Sequence, residues 1–118
     1  MNQHDSLHAL CRVPAALFEG AQESFAELVR SSGVSIDSLS AARLRRVLSQ
    51  DQALVEDWLS WSSDKRVRSG WYFLKASEGY VVGHHPDAAR MVFSDAAAGC
   101  AEFIVREVRP YAPKFVAP

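Results

Sequence analysis

Hydrophobic positions in the first half of the chain recur every three or four residues, the spacing of one face of an α-helix. Pro14 can occupy the first turn of a helix, and Gly33 can end one. Between them one apolar stripe runs through Phe18, Ala21, Phe25, Leu28 and Val29. The pattern predicts a first helix from Pro14 to about Ser32.

Two further helices follow from the same spacing. Asp37 or Ser38 can cap a second helix, because their side chains can accept a hydrogen bond from the first turn. This helix carries Leu39, Leu44, Val47 and Leu48. Asp51 can cap a third, whose apolar arc consists of Leu54, Val55, Trp58, Leu59 and Trp61.

After Ser62 the spacing changes from helical to extended. The runs GWYFLK and YVVGHH are rich in aromatic and β-branched residues, and the short segment ASEG joins them. This predicts a β-hairpin with Gly79 in a left-handed conformation. Trp71, Phe73, Tyr80 and Val82 fall on one face, and Tyr72, Leu74 and Val81 on the other. Both faces of the hairpin are therefore apolar.

The remaining segments complete an α+β fold. Arg90 to Phe93 can add a third short strand, and Asp95 can cap a last helix that ends at Pro110. Helices on one face of a small antiparallel sheet are typical of α+β domains. We predict one domain over residues 1–118, with three N-terminal helices, the sheet and a C-terminal helix. Residues 1–12 are expected to be flexible and residues 109–118 to form a proline-rich tail.

The charge of the chain argues against binding to nucleic acid. Its 13 basic and 14 acidic residues give a net charge of -1, so no overall field attracts a polyanion. Lys65, Arg66 and Arg68 precede Trp71 and Tyr72, which resembles a single-strand binding surface. Because those two aromatic residues lie on opposite faces of a strand, they do not form a stacking platform.

The N-terminal residues lack the basic and apolar regions of a signal peptide, and no run of about 18 apolar residues could span a membrane. We therefore expect a soluble cytoplasmic protein without membrane contact. Cys11 and Cys100 are too few for a disulfide framework and are expected to be reduced.

Few residues are arranged for chemistry. His4, His8 and Cys11 would lie along one side of a helix and could bind a metal, although no carboxylate pattern supports them. No nucleophile motif or phosphate-binding glycine loop occurs. We therefore expect a protein without catalytic residues or cofactor, and the His4, His8 and Cys11 metal site stays open as an alternative.

Two surfaces are candidates for binding another protein. Glu19, Glu23 and Glu27 follow one another at four-residue steps along the first predicted helix, and such an acidic face could steer a basic partner. The second surface is the outer hairpin face around Tyr72, Lys75 and Tyr80, since a small sheet covered by helices on one side leaves an apolar patch.

The C-terminal half resembles a known family. The motifs are W-S-x-D-K-R and S-G-W-Y-F between Trp61 and Phe73, Y-x-V-G at Tyr80 to Gly83, F-x-D at Phe93 to Asp95, and A-x-x-C-A-E-F-I-x-x-E at Ala97 to Glu107. Together they resemble small immunity-type proteins encoded beside bacterial polymorphic or contact-dependent toxins. The resemblance implies a protein without enzymatic activity that binds one cognate toxin, such as a nuclease, in the cytoplasm.

The sequence therefore leads to an immunity or inhibitor protein that neutralises a toxin by direct binding. The alternative is a homodimeric structural or adaptor protein that uses the hairpin for self-association. The expected partner-binding residues are Glu19, Glu23, Glu27, Lys65, Arg66, Arg68, Tyr72, Lys75 and Tyr80.

Overall fold

The computed structural model describes residues 2–64, 70–86 and 89–113. The described chain contains six α-helices and a three-stranded antiparallel sheet, so the predicted α+β class is confirmed. The elements, in chain order, are α1 (Gln3–Cys11), α2 (Val13–Phe18), α3 (Phe25–Ser31), α4 (Ala41–Ser49), α5 (Gln52–Asp64), β1 (Gly70–Ala76), β2 (Gly79–His85), β3 (Arg90–Phe93) and α6 (Ala96–Val108). Single 3-10 turns lie at Ile36–Ser38 and Arg109–Tyr111.

The sheet has the order β1-β2-β3 with both pairs antiparallel. The predicted hairpin is confirmed, with Ala76 opposite Gly79 and Phe73 opposite Val82. Gly79 has a φ of 135°, and a Cβ there would lie 2.6 Å from the carbonyl oxygen of Phe93. Glycine is therefore required both by the turn and by the close approach of β3. The predicted third strand is also confirmed, over Arg90–Phe93.

Helix α6 is the central helix of the fold. It contacts all three strands of the sheet and also α4 and α5, and α1 in turn contacts α4. The buried face of α6 includes Ala97, Cys100, Ala101, Ile104, Val105 and Val108. The Asp95 side chain accepts a hydrogen bond from the Ala97 amide at 3.1 Å and caps the helix as predicted.

The prediction of one helix from Pro14 to about Ser32 is wrong, because two helices occupy this range. Helix α2 ends in a Schellman motif, in which Ala21 N–H donates to Ala16 at 3.0 Å and Gly20 N–H donates to Leu17 at 3.1 Å. Gly20 has a φ of 99°, a conformation that most side chains disfavour. Ser24 then opens α3 with a capping box.

The N-terminal segment differs from the flexible segment predicted for residues 1–12. Residues 3–11 form α1, capped by Asn2, whose side chain accepts from the Asp5 amide at 2.8 Å. Leu7, Leu10 and Cys11 are buried in the main core. The helix is anchored further where the Trp58 indole donates to the Cys11 carbonyl at 3.0 Å. Buried apolar contacts, rather than helix propensity, therefore order this segment.

The predicted second and third helices correspond to α4 and α5. Ser40, rather than Asp37 or Ser38, caps α4, accepting from the Arg43 amide at 3.3 Å. Asp51 accepts from the Ala53 amide at 3.1 Å at the start of α5, as predicted. Part of the predicted tail is also packed: Ala112 is buried, and the Ile36 amide donates to the Pro113 carbonyl at 2.8 Å. Residues 114–118 of the tail lie outside the described residues.

Candidate functional site

The two faces of the sheet have different surroundings. Phe73 and Val82 lie on the inner face and are 1% and 0% exposed, and the Phe73 ring stacks on Phe103 of α6 with centroids 5.7 Å apart. Gly99 of α6 allows this approach, since a Cβ there would lie 3.2 Å from the Cβ of Tyr80. Alternation places every second residue on the opposite, outer face.

The outer sheet face, as named here, consists of Tyr72, Leu74, Val81, His85, Arg90 and Val92. Leu74, Val81 and Val92 stand opposite one another across the three strands. Leu74 is 43% and Val92 45% exposed, whereas Val81 between them is 1% exposed. Val81 is thus covered on this face, while Leu74 and Val92 remain open to solvent. This row is an apolar patch open to solvent.

Tyr72 forms the second part of the outer sheet face. Its phenol ring lies on Gly83, and a Cβ at Gly83 would overlap the ring. The ring also stacks on the His85 imidazole, with centroids 4.7 Å apart and planes inclined by 26°. Gly83 thus lets a large aromatic ring lie flat on the sheet beside the aliphatic row.

Arg90 and Glu78 form an ion pair that spans the row. Arg90 lies opposite Gly83 and Glu78 precedes Gly79, on either side of Val81 along β2. The hydrogen bond from Arg90 lowers the pKa of the Glu78 carboxyl, and its charge acts in the same direction. Because both side chains are about half exposed, the pair has little weight for stability. It adds polar groups to the apolar row, and protein interfaces commonly combine the two.

A groove of about 540 Å³ between α5 and β1 adjoins the outer sheet face. Tyr72, Leu74 and His85 line both the groove and the face. On the helix side, the Ser62 hydroxyl accepts a hydrogen bond from the Phe73 amide at 2.7 Å. This contact satisfies a donor on the free edge of β1, so that edge is partly closed to pairing with another strand.

The structure divides the predicted hairpin residues between two surfaces. Tyr72 lies on the outer sheet face, and Lys75 lines the α5–β1 groove. Tyr80 does not belong to this surface, because it lies on the inner face and stacks on Phe73 with centroids 6.1 Å apart. Lys75 points to the same side, with its Nζ 5.9 Å from the centre of the Tyr80 ring. The predicted cluster of Tyr72, Lys75 and Tyr80 is therefore wrong, since alternation separates Tyr72 from the other two.

The predicted acidic row is also wrong, because the helix that would align its residues is broken at Gly20. Glu19 follows α2 and pairs with Arg12 at 3.3 Å. Glu23 lies in the connection between α2 and α3, and Glu27 accepts from the Ser24 amide at 3.0 Å within the capping box. That backbone hydrogen bond is the main reason why the pKa of Glu27 is lowered. The three carboxylates are exposed but do not form one helix face.

The remaining predicted residues are the three basic loop residues and the three possible metal ligands. Lys65, Arg66 and Arg68 lie outside the described residues. His4 and His8 are exposed and line different clefts, whereas Cys11 is buried. The structure does not bring them together, and the described residues contain no group of three side chains suited to hold a metal ion.

Five residues of the outer sheet face are absent from the predicted partner-binding residues: Leu74, Val81, His85, Arg90 and Val92. The sequence places Leu74 and Val81 on one hairpin face with Tyr72 but does not select them. The alternation in the segment RMVF could have identified Val92, because Met91 and Phe93 point inward when the strand pairs with β2. The positions of His85 and Arg90 depend on strand register, which hydrophobic alternation alone does not determine.

None of the helices in the described part of the chain has the length and apolar character needed to cross a membrane. Comparison of the chain with protein-family models, with curated proteins and with solved structures finds no match.

Proposed function

We propose that this chain is a non-enzymatic protein that binds a partner protein through the outer sheet face. In its specific form, the proposal is an immunity or inhibitor protein that neutralises a cognate toxin in the cytoplasm. The resemblance of the C-terminal motifs to immunity-type proteins supports the specific form, and the geometry of the sheet supports protein binding in general.

The observation that carries the proposal is the exposed row of Leu74, Val81 and Val92. Leu74 and Val92 of the row remain more than two-fifths exposed, whereas Phe73 and Val82 on the inner face are fully buried. Contiguous apolar surface of this kind commonly marks an interaction site. Tyr72 and Arg90 flank the row, and tyrosine and arginine are enriched among the residues that dominate binding energy.

The experiment begins with affinity capture of partners from the source cells using tagged wild-type chain. The same capture is repeated with Leu74→Lys, which places a charge in the apolar row, and with Phe18→Lys as the matched control. Phe18 is 48% exposed at the end of α2, a helix that packs on α3 and α5. We expect wild type and Phe18→Lys to capture the same partner in equal amounts. Leu74→Lys should not capture it.

Toxin inhibition is tested by a second measurement, the growth of cells that express the partner. Cells that express the captured partner should stop growing, and co-expression of the wild-type chain should restore growth while co-expression of Leu74→Lys should not. A partner that binds through the outer sheet face without harming cells would contradict toxin inhibition but leave protein binding intact.

Self-association is the second candidate, and the same apolar row favours it because it could pack against its copy. Size-exclusion chromatography with light scattering at several dilutions distinguishes the two candidates. A dimer that persists on dilution and dissociates in Leu74→Lys would favour the structural or adaptor role. A monomer at all concentrations would exclude it.

A further inference from the structure

A cleft lies between α1 and α4 and shares no lining residue with the groove beside the outer sheet face. Its volume is about 290 Å³, and its lining residues are His4, Leu7, Arg43, Arg46, Val47 and Gln50. The cleft has an apolar floor, because Leu7 and Val47 are only 2% and 4% exposed. Polar side chains surround that floor.

The spacing of residues on α4 brings the polar groups together. Arg43, Arg46 and Gln50 are separated by three and four positions, so they lie along one face of α4 and its C-terminal cap. His4 approaches this face from α1. The two guanidinium groups and the amide together offer several N–H donors around one small space.

The charge in this cleft is not compensated. Among the described residues, the side chains of Arg43 and Arg46 make no ion pair or hydrogen bond, and no carboxylate lines the cleft. Arg45 on the same helix differs, because its Nε lies 2.6 Å from an Asp95 carboxylate oxygen. The two unpaired guanidinium groups therefore form a local cationic site in a chain whose net charge is only -1.

We propose that this cleft binds the phosphate group of a small phosphate monoester. Guanidinium groups match phosphate oxygens through paired N–H donors, and arginine binds phosphate in this way more specifically than a point charge does. The cleft volume is near the lower end of the range for small-molecule sites. It therefore suits one phosphate and a short organic group over Leu7 and Val47. A nucleic-acid backbone would require phosphate contacts along a longer basic surface.

The test is an NMR titration of ¹⁵N-labelled full chain with ribose 5-phosphate at constant ionic strength. We expect saturating shifts for amides of residues 4–8 and 43–50, no such shifts with ribose, and weaker binding of inorganic phosphate. Equal binding of inorganic phosphate would overturn the ester assignment. Shifts reproduced by sodium chloride, or tighter binding of a short DNA duplex at the same amides, would overturn the proposal.

Substitutions test whether the two arginines form the site. The double variant Arg43→Gln and Arg46→Gln should bind ribose 5-phosphate at least about tenfold more weakly, a change of about 1.4 kcal/mol. Arg30→Gln, on the exposed surface of α3, is the matched control and should bind like wild type. Glutamine is a good helix former, so the folded amide spectrum should persist. Unchanged binding by the double variant would overturn the proposal.

Lysine variants separate guanidinium geometry from charge. Arg43→Lys with Arg46→Lys keeps both charges but removes the planar pairs of donors. We expect affinity between that of wild type and that of the glutamine variant. Wild-type affinity in the lysine variant would overturn paired recognition of phosphate by the guanidinium groups.

Discussion

At the scale of single residues, Gly83 determines the shape of the outer sheet face. Because it has no side chain, the Tyr72 ring lies flat on β2 and reaches the His85 imidazole. Sequence alternation identifies Tyr72 as an outer residue, but its position over Gly83 depends on the pairing of residue 72 with residue 83. Register of this kind is set by the turn and by side-chain packing and cannot be derived from one strand alone.

Gly83→Ala should displace the Tyr72 ring, since the added methyl group would overlap it. Overpacking of this kind typically costs about 1–3 kcal/mol of unfolding free energy. Urea unfolding measures the cost, and nuclear Overhauser contacts between Tyr72 and His85 should weaken. In a Tyr72→Ala background the same substitution should cost much less, and an equal cost in both backgrounds would contradict this interpretation.

Both cysteine thiols should be unreactive in the folded chain. Burial raises the pKa of Cys11 to about 12 and raises that of Cys100 well above its usual range. Since the thiolate is the reactive form, a thiol reagent at pH 8 should label neither residue until urea unfolds the chain. Because folding raises these pKa values, the unfolding free energy should fall as pH rises above about 9. Rapid labelling of the native chain would contradict the burial of these thiols.

At the scale of elements, the break between α2 and α3 is the main difference from the sequence prediction. The apolar stripe from Phe18 to Val29 indicates one helix, but Gly20 and the Ser24-x-x-Glu27 motif carry local stop and start signals. Local capping chemistry therefore outweighs periodicity here, and the acidic row predicted on a continuous helix does not form. The hairpin, third strand and α6 were predictable because alternation, turn residues and capping agree in those segments.

Gly20→Ala should destabilise the chain by about 1 kcal/mol, because alanine disfavours the positive φ of this position. A Cβ at this position meets open space, so backbone conformation rather than overlap is the cause. Gly20→Asn should lose less unfolding free energy than Gly20→Ala, since asparagine adopts the left-handed conformation more readily than alanine. Urea unfolding of both variants provides the measurement, and equal stability of wild type and Gly20→Ala would contradict this reading of the helix end.

At the scale of the whole molecule, the fold presents two separate surfaces. Helix α6 covers the inner face of the sheet and leaves the outer sheet face open, while α4 and α1 form the cationic cleft. The sequence predicts that a sheet with helices on one side leaves an apolar face. It does not predict the cleft, because that site depends on α1 packing against α4 in a segment expected to be flexible.

The central claim is that the outer sheet face binds a partner protein. The most direct test is the dissociation constant of the captured partner for wild type, Leu74→Lys and Phe18→Lys, measured by biolayer interferometry after circular dichroism has confirmed that all three fold. We predict that Leu74→Lys binds at least about tenfold more weakly, mainly through faster dissociation, and that Phe18→Lys stays within about twofold of wild type. Equal affinity of all three chains would contradict the account.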